Sequence, residues 1–275
     1  MSKIPIILLF VTLGISAFVL KEQGVVFNPV PQNSISTGEH LEYKVNFGIF
    51  TVGKADMMIY PEYYKINNRD CYKVDVNGRT TGVVNWLADV NDNWGAYVDT
   101  EALVPHISWR NIQEGKYIKK EVVNFDHSKD QVEAKVVNNK TGEFKEPKYY
   151  DAPNNVRDLI GGFLFVRSID YSNLAEGEEV GMHAFFEDTV YNFQVRYLGK
   201  EVVKTKAGKF KAVKLQPLMP NNEVFNGRHS ISLWLSDDKN KIPLKAEASM
   251  FIGNARVELV DYKGLKNESS RIDKN

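Results

Sequence analysis

A period of two in hydrophobicity limits this chain more than any other feature. From His40 onward Leu41, Tyr43, Val45, Phe47 and Ile49 fall on one parity, and His40, Glu42, Lys44 and Asn46 on the other. Successive side chains of an extended backbone point to opposite faces, so this segment reads as a strand with one dry face. Gly53 allows a turn or bulge, after which Ala55, Met57 and Ile59 resume the alternation. Tyr72, Val74 and Val76 form a third run beyond the polar turn Asn67-Asn68-Arg69-Asp70. Three such runs in succession make an antiparallel meander.

The pattern continues over Ile118 to Phe125 and over Val132, Ala134 and Val136, joined by the hairpin-like loop Asp126 to Asp130. The period then changes. Leu159, Ile160, Phe163 and Leu164 are spaced as on a helix starting near Pro153, although Gly161 and Gly162 each cost about 1 kcal/mol inside one. That glycine pair would let the helix backbone approach a sheet closely. Alternation returns at Val180, Met182, Ala184 and Phe186, and again at Tyr191, Phe193, Val195 and Tyr197. Lys200–Lys206 and Lys209–Leu215 read as a hairpin about Ala207-Gly208, with a parity slip at Ala212-Val213 that predicts a bulge. Ile231, Leu233 and Leu235 turn through Asp237 to Asn240 into Ile242 to Met250, and Val257 and Leu259 finish the sheet.

Strands that are apolar on one face only argue against a parallel sheet buried on both sides. The fold class is therefore mainly β: a large curved antiparallel sheet or incomplete barrel, with one covering helix near 154–168. The β region spans 38–265, as one domain or as two subdomains (38–150 and 175–265) joined by the helix.

Ahead of it, Lys3 precedes an apolar run from Ile4 to Leu13, followed by Gly14, Ser16 and Ala17. The run is shorter than the ~20 residues a spanning helix needs, so residues 1–20 read as a cleaved export signal. Ile15 stands where the cleavage pattern prefers a small residue, which leaves the cut open and an uncleaved anchor as the alternative. No cysteine follows the run, so lipoprotein processing at that point is not expected. Residues 21–37, polar and carrying Pro29 and Pro31, read as a tether. The polar stretch 266–275 reads as a disordered tail.

Lys and Arg total 35, equal to Asp and Glu, and the signs are interspersed, which gives nucleic acid no basic stripe to follow. The single cysteine, Cys71, forms no internal disulfide, and nothing near it in sequence would activate the thiol.

Several short motifs occur in a suggestive order: Gly38-Glu39, the Gly53 turn, Leu103-Val104-Pro105, the Asp158 to Arg167 helix, Thr205 to Phe210 with Gly208, and Trp234-Leu235-Ser236-Asp237 leading to Ile242-Pro243. Across Gly38 to Leu265 the chain resembles the domain of unknown function 3108 family, exported proteins of Gram-negative envelopes. The resemblance implies a β-rich fold and a place in the periplasm or cell envelope, and carries no reaction. A fold-level analogy links curved sheets with a covering helix to periplasmic lipoprotein carriers, which hold acyl chains in the concavity.

Candidate sites are few. Asp89, Asn91 and Asn93 begin like a calcium loop, but the glycine, Gly95, comes one place late and the twelfth position is Thr100; a polar turn is the plainer reading. His40, His106, His127, His183 and His229 show no zinc-like spacing, and His183 and Glu187 are in helical phase within a strand. No metal or cofactor is expected. Ser230, Ser232 and Ser236 lack a nucleophile elbow, so no catalytic residue is assigned.

Arg167 falls on the apolar stripe of the helix and needs a carboxylate or a bound anion, unless it snorkels from the helix end. Trp86, Trp94 and Trp109 read as packing aromatics. Trp234 has the opposite parity to Ile231, Leu233 and Leu235, which predicts an exposed aromatic at a partner or sugar-binding surface.

The leading expectation is a non-enzymatic envelope protein that binds an amphipathic, lipid-like ligand or scaffolds an envelope partner, with Arg167 and Trp234 as candidate contacts. Its oligomeric state is not legible. The rival is a glycan-acting hydrolase or carbohydrate-binding module using Asp89, Asp92, Asp99 and Trp234, which would need two carboxyls about 5 Å or about 6.5–9.5 Å apart in a cleft.

Overall fold

A computed structural model describes residues 27–82, 84, 89–219 and 227–273. The expected signal at 1–20, the start of the tether and Trp86 lie outside the described residues. The first half of the chain forms β1 (His40–Phe47), β2 (Phe50–Ile66), β3 (Arg69–Thr80), β4 (Asn91–Asp99), β5 (Pro105–Glu114), β6 (Tyr117–Asp126), β7 (Gln131–Val136) and β8 (Lys148–Asp151). Helix α1 (Leu159–Ser168) follows, then β9 (Glu179–Phe186), β10 (Thr189–Thr205), β11 (Gly208–Leu218), β12 (Ile231–Ser236), β13 (Pro243–Met250) and β14 (Gly253–Lys263).

All 14 strands belong to one antiparallel sheet, in the order β8-β7-β6-β5-β4-β3-β2-β1-β14-β13-β12-β11-β10-β9. The two halves are meanders fused at their first and last strands: Val45 pairs with Val257, and Phe47 with Ala255. The halves are thus continuous in one sheet, and the subdomain boundary expected between 150 and 175 does not divide it.

The sheet curls without closing. Its edges β8 and β9 approach through side chains: Lys148 Nζ lies 2.8 Å from Asp188 Oδ2, and the Tyr150 and Phe185 rings are 5.3 Å apart. Residues 152–158 run along this seam. The Ala152 amide donates to the Asp130 carbonyl, the Arg157 amide to His183, and the Phe185 amide to the Arg157 carbonyl. A chain segment laid along exposed edges satisfies backbone groups that would otherwise recruit other strands.

Helix α1 begins later than the apolar spacing suggests. Asp158 caps it, accepting from the Gly161 amide at 2.7 Å, and ahead of it the chain passes through a turn at Asn154-Asn155, closed by the Val156 amide donating to the Pro153 carbonyl, rather than a first helical turn. Ile160 and Leu164 enter a core shared with Leu41, Ile59, Val74 and Leu259. Gly161 is needed for contact: a Cβ there would lie 3.2 Å from both the Leu103 carbonyl oxygen and Pro105 Cδ.

Four local expectations are corrected. Strand β1 ends at Phe47, so Ile49 is exposed in the turn rather than on the dry face. The bulge of the β10–β11 hairpin lies between Tyr197 and Lys200 on β10, opposite the parity slip on β11. The supposed tether is docked where it is described: Ile35 is buried, and the Val30 amide donates to the Glu101 carbonyl. Most of the tail is held too. Ile272 donates its amide to the Lys209 carbonyl, and Asn240 Nδ2 donates to the carbonyls of Asn267 and Glu268.

Candidate functional site: an apolar cavity under the helix

Two cross-strand rows on one face of the sheet explain an apolar cavity. Met57, Val76 and Trp94 are opposite one another on β2, β3 and β4. Val257, Ala246 and Leu233 do the same on β14, β13 and β12. Period-two alternation puts all six on the same side, and α1 lies over them. Between helix and sheet is a cavity of about 470 Å³, to which the helix contributes Leu159, Ile160 and Phe163. Tyr43 also borders it, but its hydroxyl is used, donating to the Pro243 carbonyl at 3.1 Å. Burial pushes the Tyr43 phenol above its ordinary pKa, so it stays neutral. Apart from Asp56 and Lys245, the named walls are apolar. Such a space can bind by removing hydrocarbon from water; its walls offer no paired acid and base for chemistry.

Beyond Trp94 the same row turns polar. Arg110, opposite Trp94, is buried and donates to Glu121 and Glu187, with Lys119 Nζ 3.3 Å from each of those acids. Its guanidinium lies 5.6 Å from the Trp94 ring centroid and 5.4 Å from that of Phe186. Two cations and two carboxylates neutralise each other there and close one end of the apolar floor.

A second, polar cavity of about 630 Å³ opens beside Phe27, His106 and His127. His127 donates from Nε2 to the Pro105 carbonyl at 2.8 Å, and burial lowers its pKa. Both imidazoles meet the Phe27 ring edge to face. The adjoining Asp99 is fully buried and accepts from Arg69 and from the backbone amides of Glu101 and Ala102. Burial alone would raise its pKa, but the His106 ring, Arg69 and these amides hold the carboxyl well below the usual range.

The residues singled out in the sequence are separately placed. Arg167 is completely buried and finds the carboxylate its position demands: it donates to Glu39 at 2.6 and 2.8 Å, and to the carbonyls of Ser34 and Asn240. With its donors occupied it is a structural tie between helix, first strand and the segment before it. Trp234 points away from Leu233 and Leu235 as parity requires, yet it is only 4% exposed. Its neighbours across the sheet, Lys214 and Lys245, lie over the indole at 5.1 and 3.9 Å, and its N–H donates to Glu201. Long lysine stems cover an outward aromatic, which parity alone does not reveal.

The segment from Asp89 to Gly95, read as a polar turn in preference to a calcium loop, is largely strand β4, which begins at Asn91. Asp92 and Asp99, seven residues apart on that strand, are separated by about 23 Å at the usual rise, too far to share a glycosidic bond. Asp92 and Asp89 are instead spent on the Gln113 amide and side chain. Burial pushes the Cys71 thiol up to about 12, so it is not a nucleophile. No cluster of three metal-ligating side chains occurs among the described residues.

Sequence reasoning overlooked Arg157. It is buried without a carboxylate partner among the described residues, donates to the carbonyls of Ala102, Leu103 and Asn155, and stacks 4.1 Å from the Phe165 ring centroid. Burial lowers its pKa to about 10. The Arg157-Asp158 pair just before an apolar run was the available signal, since an aspartate there is a helix cap.

Residues 42–260 match the family described as Protein of unknown function (DUF3108). No curated protein matches the sequence. Among solved structures, the fold is similar to a beta-barrel-like protein of domain of unknown function DUF1849 from Brucella abortus, with a TM-score of 0.52 and 9% identity over 86% of this chain and 99% of that one. A candidate lipoprotein from Parabacteroides distasonis aligns at a TM-score of 0.36 and 10% identity, over 86% of this chain and 100% of the other.

Proposed function

We propose, from the premise that this chain belongs to the DUF3108 family of proteins of unknown function, that it is a non-enzymatic carrier for the apolar part of an amphipathic, lipid-like ligand. The observation that carries this reading is the cavity of about 470 Å³ walled by Met57, Val76, Trp94, Phe163, Leu233 and Val257. A protein interior normally closes such space, because each buried methylene left without neighbours loses dispersion contacts. An acyl chain would regain them: ten methylenes transferred from water are worth about 8 kcal/mol before ordering costs. The apolar run before residue 20 supports export, and with it a role in the cell envelope, where ligands of this class are abundant.

Titration of the purified protein with a dansyl-labelled fatty acid tests the reading. Saturable uptake is expected, and native mass spectrometry should show bound lipid. Ala55→Phe with Ala246→Phe fills the cavity from two walls and should weaken uptake about ten-fold or more while the fold survives. Uptake that is absent, or equal in the filled variant, sinks the proposal.

A further inference from the structure

Two turns at one end of the sheet leave four large apolar side chains in solvent. Ile49, between β1 and β2, and Phe50, the first residue of β2, are 91% and 68% exposed; Phe251 and Ile252, between β13 and β14, are 65% and 78% exposed. Pairing of β1 with β14 makes the turns neighbours, and the Gly48 amide ties them by donating to the Asn254 carbonyl at 2.9 Å. Gly253, at φ 139°, leaves the space that the Phe47 ring fills: a Cβ there would lie 2.7 Å from Phe47 Cζ. The turns are therefore braced, and their four side chains form one convex tip. Elsewhere the same sheet turns on polar residues, Asn67-Asn68 and Glu187-Asp188, as a merely connecting turn would.

Cations are in excess behind the tip: the cross-strand row Arg79, Lys54, Lys44, Glu258, Lys245 sets four of them against one acid. Lys44 is opposite Lys54 on β2, and Lys54 is opposite Arg79 on β3. Like charges directly opposite each other destabilise a sheet. None of Lys44, Lys54 and Arg79 makes an ion pair among the described residues; Glu258, opposite Lys44 on β14, lies 3.9 Å from Arg256 instead. Lys44 is three residues from Phe47, about 10 Å along the strand and close to one Debye length from the tip. A convex apolar tip backed by unpaired cations suits a deformable, anionic, planar surface better than a partner protein, which would need a matching groove.

We propose that the paired turns insert into the interface of a bilayer containing anionic lipid, with Lys44, Lys54 and Arg79 set toward the headgroups. This inference stands apart from the cavity reading, since none of the four tip residues lines the cavity.

The full chain carrying Ile252→Cys, labelled with an environment-sensitive nitrobenzoxadiazole dye, reads insertion locally, whatever the N-terminal apolar run does; Cys71 is buried and does not compete for the label. Dye emission should rise with vesicles of equal parts phosphatidylglycerol and phosphatidylcholine, and less with phosphatidylcholine alone. A label at Tyr63→Cys, toward the other end of β2, should not respond. Adding Phe50→Ser and Phe251→Ser, or Lys44→Gln, Lys54→Gln and Arg79→Gln, should raise the lipid needed about ten-fold. All five positions are at or near the surface, so fatty-acid uptake should be unchanged, which separates failure here from failure of the carrier reading. A silent label at residue 252, an equal rise at residue 63, or a lipid-free rise that grows with protein concentration, meaning that a second copy covers the tip, overturns the proposal.

Discussion

Arg167→Ala would strand the Glu39 carboxylate in a place where only 1% of its surface reaches water. Breaking one partner out of a buried ion pair costs about 3–5 kcal/mol, because the remaining charge has no solvent to replace it. Replacing both partners with apolar residues, as in Arg167→Met with Glu39→Leu, should cost less than the single change in paired thermal melts. Equal melts for Arg167→Ala and the parent would refute the structural role given to the pair. The sequence placed Arg167 on the apolar stripe and so required a partner, but Glu39 is 128 residues away and only the sheet brings it close. Asp158 behaves differently. Burial raises its pKa to about 6 from an ordinary 3.8, so the folded protein holds a proton that the unfolded chain has released. Its favourable contribution is complete below about 3.8 and is lost as pH rises through about 6, opposite in sign to that of Asp99, whose depressed pKa withdraws stability as pH falls. Asp158→Asn keeps a capping oxygen without the titration. Its melting temperature should therefore gain on the parent between pH 4 and pH 7, and a constant difference across that range would contradict the assignment.

At the level of elements, period-two alternation located most of the strands because they have one dry face, though not β5 or β8, and the change of period located α1. What alternation cannot report is cover. Trp234 has the parity of an outward residue and is nevertheless buried, because Lys214 and Lys245 belong to strands separated from it in sequence. The cavity is hidden for a related reason: Phe163 and Leu164 look alike in the sequence, but Leu164 is fully enclosed whereas Phe163 is half-buried at the cavity wall. Their truncations should differ accordingly. Leu164→Ala removes a side chain with neighbours on all sides and should cost about 3–5 kcal/mol. Phe163→Ala enlarges a space that is already open and should cost about 1–2 kcal/mol, while weakening fatty-acid uptake. Denaturant unfolding of the two variants would test this, and a larger loss for Phe163→Ala would mean that the helix sits deeper on the sheet.

At the level of the whole molecule, a chain this rich in one-faced strands needed a concave interior, and sequence reasoning reached a curved, unclosed sheet. The strand order was beyond it, since parity specifies faces and not partners. That order places the earliest strand of the sheet against the latest, β1 against β14. Every other neighbouring pair in the sheet is consecutive along the chain. Hairpins can therefore assemble locally and early, whereas the central junction must wait for the final strand and close a loop of more than 200 residues, from Val45 to Val257. During synthesis or passage across a membrane, β1 has β2 on one side and an open edge on the other until β14 emerges. The middle of this sheet is thus its last part to be completed, and the interval before it closes is when the nascent protein is most open to pairing with another chain.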